Sequence, residues 1–187
     1  MLKDKNIVIG ITGGIACYKA CEIISYLVHE EANINVIMTK NSTNFITPLT
    51  LETLSKNKVI IDMFEKKEHI EVEHISLARK ADIILVVPAT ANIIGKVANG
   101  IADDMLSTTI MATSAKVVFA PAMNNGMYTN KIVQNNINKL KEYGYEFINP
   151  QKGNLACGYK AIGKLADKNT IINFIKNILE SGDKNEV

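Results

Sequence analysis

Short apolar runs rich in Ile and Val recur along the chain, and small or polar residues follow each of them. The runs do not alternate between apolar and polar positions, which is typical of strands buried on both faces of a parallel sheet. We therefore predict four buried strands, at residues 7–12, 34–39, 83–88 and 117–121. A fifth, shorter strand is predicted at residues 145–148, directly after Gly144.

Segments with apolar residues at helical spacing lie between these strands. The predicted helices cover residues 15–31, 75–81, 92–99, 104–112, 131–143 and 170–179. The alternation predicts an α/β fold, a three-layer domain around a doubly wound parallel sheet of the flavodoxin or Rossmann kind. Such sheets bind ligands at the carboxyl ends of their strands, so we expect the functional site at that edge.

Length and charge narrow the class of partner. We expect residues 1–187 to form one domain with a polar tail from about residue 181. The net charge is only +2 and the charged residues are interspersed, which argues against nucleic acid or a membrane surface and favours a small-molecule partner. Arg79 is the only arginine, so phosphate recognition would depend on lysines, hydroxyl groups or backbone N–H groups.

The cysteine count and the apolar runs indicate the compartment. Three cysteines do not suggest a disulfide framework, and they lack the spacing of a metal site, so we expect no metal. No signal-peptide core or membrane-spanning stretch is evident in the sequence. We therefore expect a cytoplasmic protein.

Candidate ligand contacts follow the first and third predicted strands. Thr12, Gly13 and Gly14 form a glycine-rich turn suited to a mononucleotide or phosphate, although it is not the dinucleotide G-x-G-x-x-G motif and such a turn can also bind nothing. Residues 88–92 (Pro-Ala-Thr-Ala-Asn) and 107–109 (Ser-Thr-Thr) add hydroxyl and amide groups. Alone, these clusters are ordinary helix caps; beside the glycine turn they favour a bound cofactor.

Two side chains are the main candidates for chemistry. Asn124 follows the fourth strand, and its amide can donate two hydrogen bonds to a carboxylate without adding a charge. Cys157 lies among Gly153, Gly158 and Gly163, a pattern that predicts a mobile loop carrying a thiol able to donate a proton or to attack. A plain surface thiol is the alternative.

Other candidates are weaker. Cys17 and Cys21 fit small core residues better than a metal or redox pair. An isolated histidine such as His74 is more often a surface or capping residue than a catalyst, and His29 and His69 are weaker still.

Six motifs in order over roughly residues 6–167 resemble the homo-oligomeric flavin-containing cysteine decarboxylases. They are Gly-Gly-Ile-Ala-Cys-Tyr-Lys at 13–19, His-Ile-Ser-Leu-Ala at 74–78, Pro-Ala-Thr-Ala-Asn at 88–92, Asp-Met-Leu-Ser-Thr at 104–108, Pro-Ala-Met-Asn-Asn-Gly-Met-Tyr at 121–128 and Leu-Ala-Cys-Gly at 155–158. The asparagine and cysteine motifs are specific together, whereas each alone is weak.

The resemblance implies an FMN cofactor and assigns site residues. The implied flavin contacts are Gly13, Gly14, Ile15, Thr39, Phe45, Thr90, Ala91, Asn92, Ser107 and Ala122. The implied catalytic residues are His74, Asn124 and Cys157. The implied substrate contacts are Asn124, Met127, Asn154, Leu155, Ala156 and Lys164. The chain departs from the family at Tyr128, where a Trp is usual, and at Lys164 and Leu165, where Arg and Met are often found.

The implied reaction is decarboxylation of a phosphorylated cysteine conjugate in coenzyme A biosynthesis. FMN would oxidise the thiol-bearing carbon transiently, Asn124 would orient the carboxylate and Cys157 would return a proton. His74 would act as a base or position the substrate. The resemblance also implies a homotrimer, or trimers gathered into a dodecamer, with flavin sites at subunit contacts, and many relatives carry a fused synthetase. The alternatives are a peptidyl-cysteine decarboxylase of lantibiotic maturation and a non-catalytic flavin-fold regulatory protein.

Overall fold

Five parallel strands form the central sheet of the computed structural model, which describes residues 2–64, 73–154, 158 and 160–182. They are β1 (Asn6–Ile11), β2 (Asn33–Met38), β3 (Ile83–Ala89), β4 (Lys116–Pro121) and β5 (Glu146–Phe147), in the order β2-β1-β3-β4-β5. All five predicted strands are confirmed, each to within one residue at either end. β1 pairs with β2 through Ile7 and Ile34 and with β3 through Ile7 and Ile83.

Eight α-helices surround the sheet among the described residues. They are α1 (Ala20–His29), α2 (Pro48–Ser55), α3 (Glu73–Lys80), α4 (Ala91–Ala98), α5 (Met105–Ala112), α6 (Asn125–Tyr128), α7 (Lys131–Glu142) and α8 (Lys168–Gly182). Two 3-10 segments, Ile15–Lys19 and Lys40–Asn44, precede α1 and α2. The predicted helix at 15–31 therefore begins as a 3-10 turn, and α8 continues to Gly182, past the predicted start of the polar tail.

The side chains of β1 show why the domain has three layers. Ile7, Ile9 and Ile11 pack in the core under α1, α2 and α8, whereas Val8 packs in the second core under α3, α4, α5 and α7. All seven residues of β3 are buried, as expected for a strand covered on both faces. The three-layer, doubly wound prediction is confirmed.

The sequence did not predict α2, α6, the 3-10 segment Lys40–Asn44 or two short strands after β5. Thr47 caps α2 by accepting from Thr50 N at 3.4 Å, and Pro48 occupies the first turn, where its missing N–H costs nothing. An antiparallel hairpin, β6 (Gln151–Asn154) and β7 (Lys160–Lys164), stands apart from the main sheet. Gly153 and Gly163 lie in these strands, so the predicted mobile loop does not extend over them.

No helix in the described part of the chain is long and apolar enough to cross a membrane.

Candidate functional site at the ends of strands β1 and β3

Thr12 ties together the two main-chain segments that follow β1 and β3. Its side chain is 2% exposed; Oγ1 donates to the Pro88 carbonyl at 2.6 Å and accepts from Thr90 N at 3.1 Å. In a sheet of order 2-1-3-4-5, the chain reverses direction across the sheet between these two strands. These two hydrogen bonds of Thr12 therefore lie where such folds bind their ligands.

Gly13 and Gly14, in the turn after β1, differ in what surrounds them. A Cβ at Gly13 would lie 2.6 Å from the Cβ of Asn41, because the turn packs against the segment after β2. A Cβ at Gly14 would meet a single described neighbour, Thr90 Cγ2 at 3.8 Å, and the Gly14 backbone is extended. Internal packing therefore requires glycine at position 13, whereas Gly14 keeps space open beside the main chain.

The hydroxyl groups after β3 and in α5 cap helices. Thr90 Oγ1 accepts from Ile93 N at 3.5 Å at the start of α4. Ser107 N donates to Asp104 Oδ1 at 2.8 Å, and Ser107 Oγ accepts from Asp104 N at 3.2 Å, which completes a capping box. The capping interpretation is confirmed for both side chains, and the fully buried Ser107 hydroxyl is occupied by this box.

Asn124 caps α6 at the carboxyl end of β4. Its side chain is exposed, and its Oδ1 accepts from Gly126 N at 2.8 Å. The hydrogen bond from Gly126 N fixes the plane of the amide, which also carries the Nδ2 donor group. Binding of a carboxylate by this amide stays a prediction.

Gly163 brings the β6–β7 hairpin against the Asn124 segment. Met123 N donates to the Gly163 carbonyl at 3.0 Å. Gly163 has φ +128°, and a Cβ there would overlap the Met123 carbonyl oxygen. Glycine at this position therefore allows the approach that places Asn154 and Lys164 near Asn124.

Two adjoining clefts open at this edge of the sheet. The larger has a volume of about 720 Å³ and the smaller about 560 Å³, both within the usual range for small-molecule sites. Gly13, Thr90, Ala91 and Met127 line both. The clefts are thus two parts of one groove.

Most of the predicted site residues meet in this groove. Besides the four shared residues, Gly14, Ile15, Ala122, Asn124, Asn154 and Lys164 line the larger cleft, and Thr39 and Asn92 line the smaller one. Their roles as ligand contacts remain predictions.

Three predicted site residues line neither cleft within the chain. Phe45 follows the second 3-10 segment and is half exposed, Ser107 is buried in its capping box, and His74 is the second residue of α3. Because α3 leads into β3, its beginning lies toward the same edge of the sheet as the groove. The predicted Leu155, Ala156 and Cys157, like His69, fall outside the described residues.

The smaller cleft contains an ion-paired lysine. Lys96 Nζ contacts Asp103 Oδ1 at 2.6 Å and Asp104 Oδ2 at 2.7 Å. Burial disfavours the charged carboxylate of Asp104, yet its bonds to Lys96 and Ser107 outweigh burial and lower its pKa. The positive charge of Lys96 is therefore balanced by the two carboxylates.

The larger cleft contains a lysine that the sequence analysis did not assign. Lys19 ends the first 3-10 segment and lines the cleft beside Tyr18. Burial, and then the positive charge of Lys164, lower the pKa of Lys19. A helical pattern begun at Ile15 places residues 15, 18 and 19 on one face, which was the available signal.

Within the described residues, no group of three or more His, Cys, Asp or Glu side chains could hold a metal ion.

Known proteins similar to this chain include both fused and single-domain forms. A coenzyme A biosynthesis bifunctional protein CoaBC of Borreliella burgdorferi is 54% identical over 183 residues, covering 98% of this chain and 47% of that protein. A probable phosphopantothenoylcysteine decarboxylase of Streptococcus mutans is 41% identical over 177 residues, covering 94% of this chain and 99% of that protein. The chain spans about half the length of the bifunctional relatives.

Solved structures have the same architecture. A mutant PPC decarboxylase complexed with pantothenoylaminoethenethiol superposes with a TM-score of 0.85 at 28% identity, covering 95% of this chain and 100% of that one. The FMN-dependent cysteine decarboxylase SpaF gives a TM-score of 0.84 at 27% identity, covering 97% and 98%.

The strand order and a groove at the carboxyl ends of β1 and β3 define a flavodoxin-like α/β protein, a class whose ligands bind at that edge of the sheet. The sequence profile of the Flavoprotein family matches residues 1–180. The chain belongs to this family.

Proposed function

We propose that this chain is an FMN-dependent decarboxylase that converts phosphopantothenoylcysteine to phosphopantetheine in coenzyme A biosynthesis. The observation that carries the proposal is the larger cleft, where the Asn124 amide and Lys164 meet beside the open main chain at Gly14. The names of the similar proteins from Borreliella burgdorferi and Streptococcus mutans support the same reaction.

The groove residues fit FMN. Gly14 leaves room where a Cβ would otherwise enter the cleft, and Ile15 and Met127 present exposed apolar surface to a ring system. Thr39, Asn92 and backbone N–H groups supply neutral donors for a phosphate, as expected for a chain with a single arginine. When bound, FMN would supply a reversible two-electron acceptor for the thiol-bearing carbon of the substrate.

Asn124 would bind the substrate carboxylate. A neutral amide orients this group without an ion pair, and an ion pair would stabilise the charged ground state more than a transition state in which the charge leaves the carboxylate. Cys157 would supply the proton that replaces CO2 on carbon, because a thiol of ordinary pKa, about 8.5, is mostly protonated at neutral pH. Leu155 and Ala156 would flank the substrate, and His74 would act as a base or a positioning residue.

We also propose a cytoplasmic homotrimer, or a dodecamer of trimers, with flavin sites at subunit contacts. Its support is that His74 and Phe45 line neither cleft within one chain. Exposed apolar side chains surround the groove, among them Ile15 at 60% and Phe64 at 83%. Light scattering of the purified protein measures the assembly directly.

The test is turnover by the FMN-loaded protein. Incubation with phosphopantothenoylcysteine should release CO2 and phosphopantetheine, whereas a peptide ending in cysteine should react poorly. Cys157→Ser should accumulate an oxidised ene-thiol that has lost CO2, detected by mass spectrometry. A cysteine-to-serine mutant of PPC decarboxylase complexed with an aminoethenethiol supports this expectation.

Cys21→Ser is the matched control, since Cys21 is a partly buried residue of α1 that lines neither cleft. It should form normal product. Saturated product from Cys157→Ser would reject the proton-donor role, and purified protein that cannot be reconstituted with flavin would reject the proposal as a whole.

A further inference from the structure

The larger cleft carries two ammonium groups, those of Lys19 and Lys164. Apart from these two lysines, its lining is apolar or neutral, and no Asp or Glu occurs among the described residues that form it. A cleft of this composition complements a ligand that is negatively charged at one point and largely uncharged elsewhere.

Lys164 is exposed, and its side chain packs over Gly153, where no side chain is present. These residues lie on neighbouring strands of the hairpin, and Gly153 is buried. A Cβ at Gly153 would lie 2.7 Å from Lys164 Cδ and 3.5 Å from its Nζ. The side chain of Lys164 therefore lies against β6.

Lys19 lines the same cleft and is half-buried, and its Nζ lies 5.9 Å from the centre of the Tyr18 ring. The described residues give neither Lys19 nor Lys164 a carboxylate within salt-bridge distance. The pKa of Lys19 is lowered chiefly by burial and then by the positive charge of Lys164, whereas the negative charge of Glu22 raises it. Two like charges thus line one cleft with no described carboxylate within salt-bridge distance, although Glu22 and Asp167 line the adjoining third cleft.

One acidic residue beside the hairpin is already hydrogen-bonded. Asp167 lines a third, smaller cleft next to Lys19 and Lys164. Its carboxylate accepts from Thr170 N at 2.9 Å and from Gln151 Nε2, and these bonds lower its pKa to about 2. The Asp167 carboxylate therefore caps the start of α8.

We propose that Lys19 and Lys164 together bind the phosphate group of the substrate. The inference rests on the proposed function, and it assigns Lys19 a role in recognition. A phosphate monoester carries close to two negative charges near neutral pH, which match two lysines acting as point charges. We assign the phosphate to the substrate and not to FMN because both lysines line the cleft of Asn124 and Asn154, whereas Thr39 and Asn92, offered above for the FMN phosphate, line the smaller cleft.

The pair also explains selection between substrates. A peptide ending in cysteine offers its carboxylate to Asn124 but has no phosphate for the lysines. Phosphopantothenoylcysteine offers both anions, so its preference over a dephosphorylated analogue should depend on Lys19 and Lys164.

The test compares phosphopantothenoylcysteine with pantothenoylcysteine in the FMN-loaded enzyme. Lys19→Met and Lys164→Met should each raise KM for the phosphorylated substrate about 10- to 100-fold, as expected for loss of one charge-assisted hydrogen bond, and leave kcat nearly unchanged. The analogue should be affected less than about threefold. Lys164→Arg, which keeps the charge, should preserve most of the preference.

Lys116→Met is the matched control. Lys116 is an exposed residue at the start of β4, at the opposite edge of the sheet, and its loss changes the net charge equally. It should leave both substrates unaffected. Circular dichroism and bound flavin, measured by absorbance, establish that each variant is folded and loaded.

The possible failures are separable. Wild-type enzyme that prefers the phosphorylated substrate, with variants that retain this preference, overturns the lysine assignment and leaves the proposed function intact. An equal loss on both substrates overturns it too, and loss of bound FMN assigns the lysines to the cofactor phosphate. Wild-type protein that turns over neither substrate overturns both proposals.

Discussion

Replacing Thr12 with Val should lower the free energy of unfolding by about 2–4 kcal/mol. The substitution keeps the shape of the side chain, so it creates almost no cavity, but it removes the donor to the Pro88 carbonyl and the acceptor for Thr90 N. Each buried group left unpaired costs about 1–3 kcal/mol. Thr90 is partly exposed and can recruit water, so the expected total lies in the lower half of the summed range.

Urea denaturation followed by circular dichroism measures this loss. With a slope of roughly 2 kcal/mol/M, the midpoint of unfolding should fall by about 1–2 M. Thr109→Val is the matched control: Thr109 is equally buried, but its Oγ1 donates within α5 to the Met105 carbonyl, which also accepts a helical N–H. That variant should lose less than about 1 kcal/mol, and Thr12→Ser should retain most of the stability.

Equal midpoints for Thr12→Val and Thr109→Val would refute the reasoning. The segments after β1 and β3 would then be held by strand pairing alone, and the hydroxyl would not determine the shape of the groove. A smaller slope in Thr12→Val would instead indicate a change in the denatured or native ensemble, so the slope is compared first.

Two further predictions use paired glycine substitutions. Gly14→Ala should keep normal thermal stability but weaken FMN binding about 5- to 150-fold, because its methyl group enters the groove. Gly13→Ala should instead lower Tm, because its methyl group overlaps the segment after β2. A flavin titration and a thermal melt distinguish the two variants, and unaltered FMN affinity in Gly14→Ala would contradict the assignment. Gly163→Ala should destabilise the hairpin by more than the roughly 1–2 kcal/mol of left-handed strain expected for Gly144→Ala. The reason is that only at Gly163 would the new Cβ also overlap the main chain at Met123. Amide exchange across residues 151–154 measures the stability of the hairpin, and equal protection in the two variants would contradict the prediction.

The main sheet could be predicted from the sequence because its strands are buried on both faces. Continuous runs of Ile and Val have no other stable place in a domain of this size, so β1 to β4 were located to within a residue. Helix α2 was missed because Leu49 and Leu51 alternate with polar residues, a pattern closer to a strand, and Leu49 is 70% exposed. Its cap at Thr47 was the more informative signal.

The hairpin could not be predicted for a different reason. Its strands contain Lys, Gln, Asn and Gly, and they owe their position to main-chain contact with Met123, which links residues 40 apart in sequence. A pattern of apolar positions carries no information about such a contact. The glycines were visible in the sequence, but only the structure distinguishes Gly163, which allows close approach, from Gly158, which has no described neighbour within 4 Å of its Cβ position.

Some site residues could likewise be predicted from the strand pattern, whereas others depend on tertiary contacts. Asn124 and the glycine turn could be placed at the ligand-binding edge because each follows a predictable strand. Lys19 could be placed beside the glycine turn, but not its pairing with Lys164. Lys164 reaches the same cleft only through the hairpin, where Gly153 makes room for the Lys164 side chain. The position of this charge therefore depends on tertiary contacts. Substituting Gly153 would displace the Lys164 side chain, which we propose binds the substrate, although Gly153 has no functional group of its own.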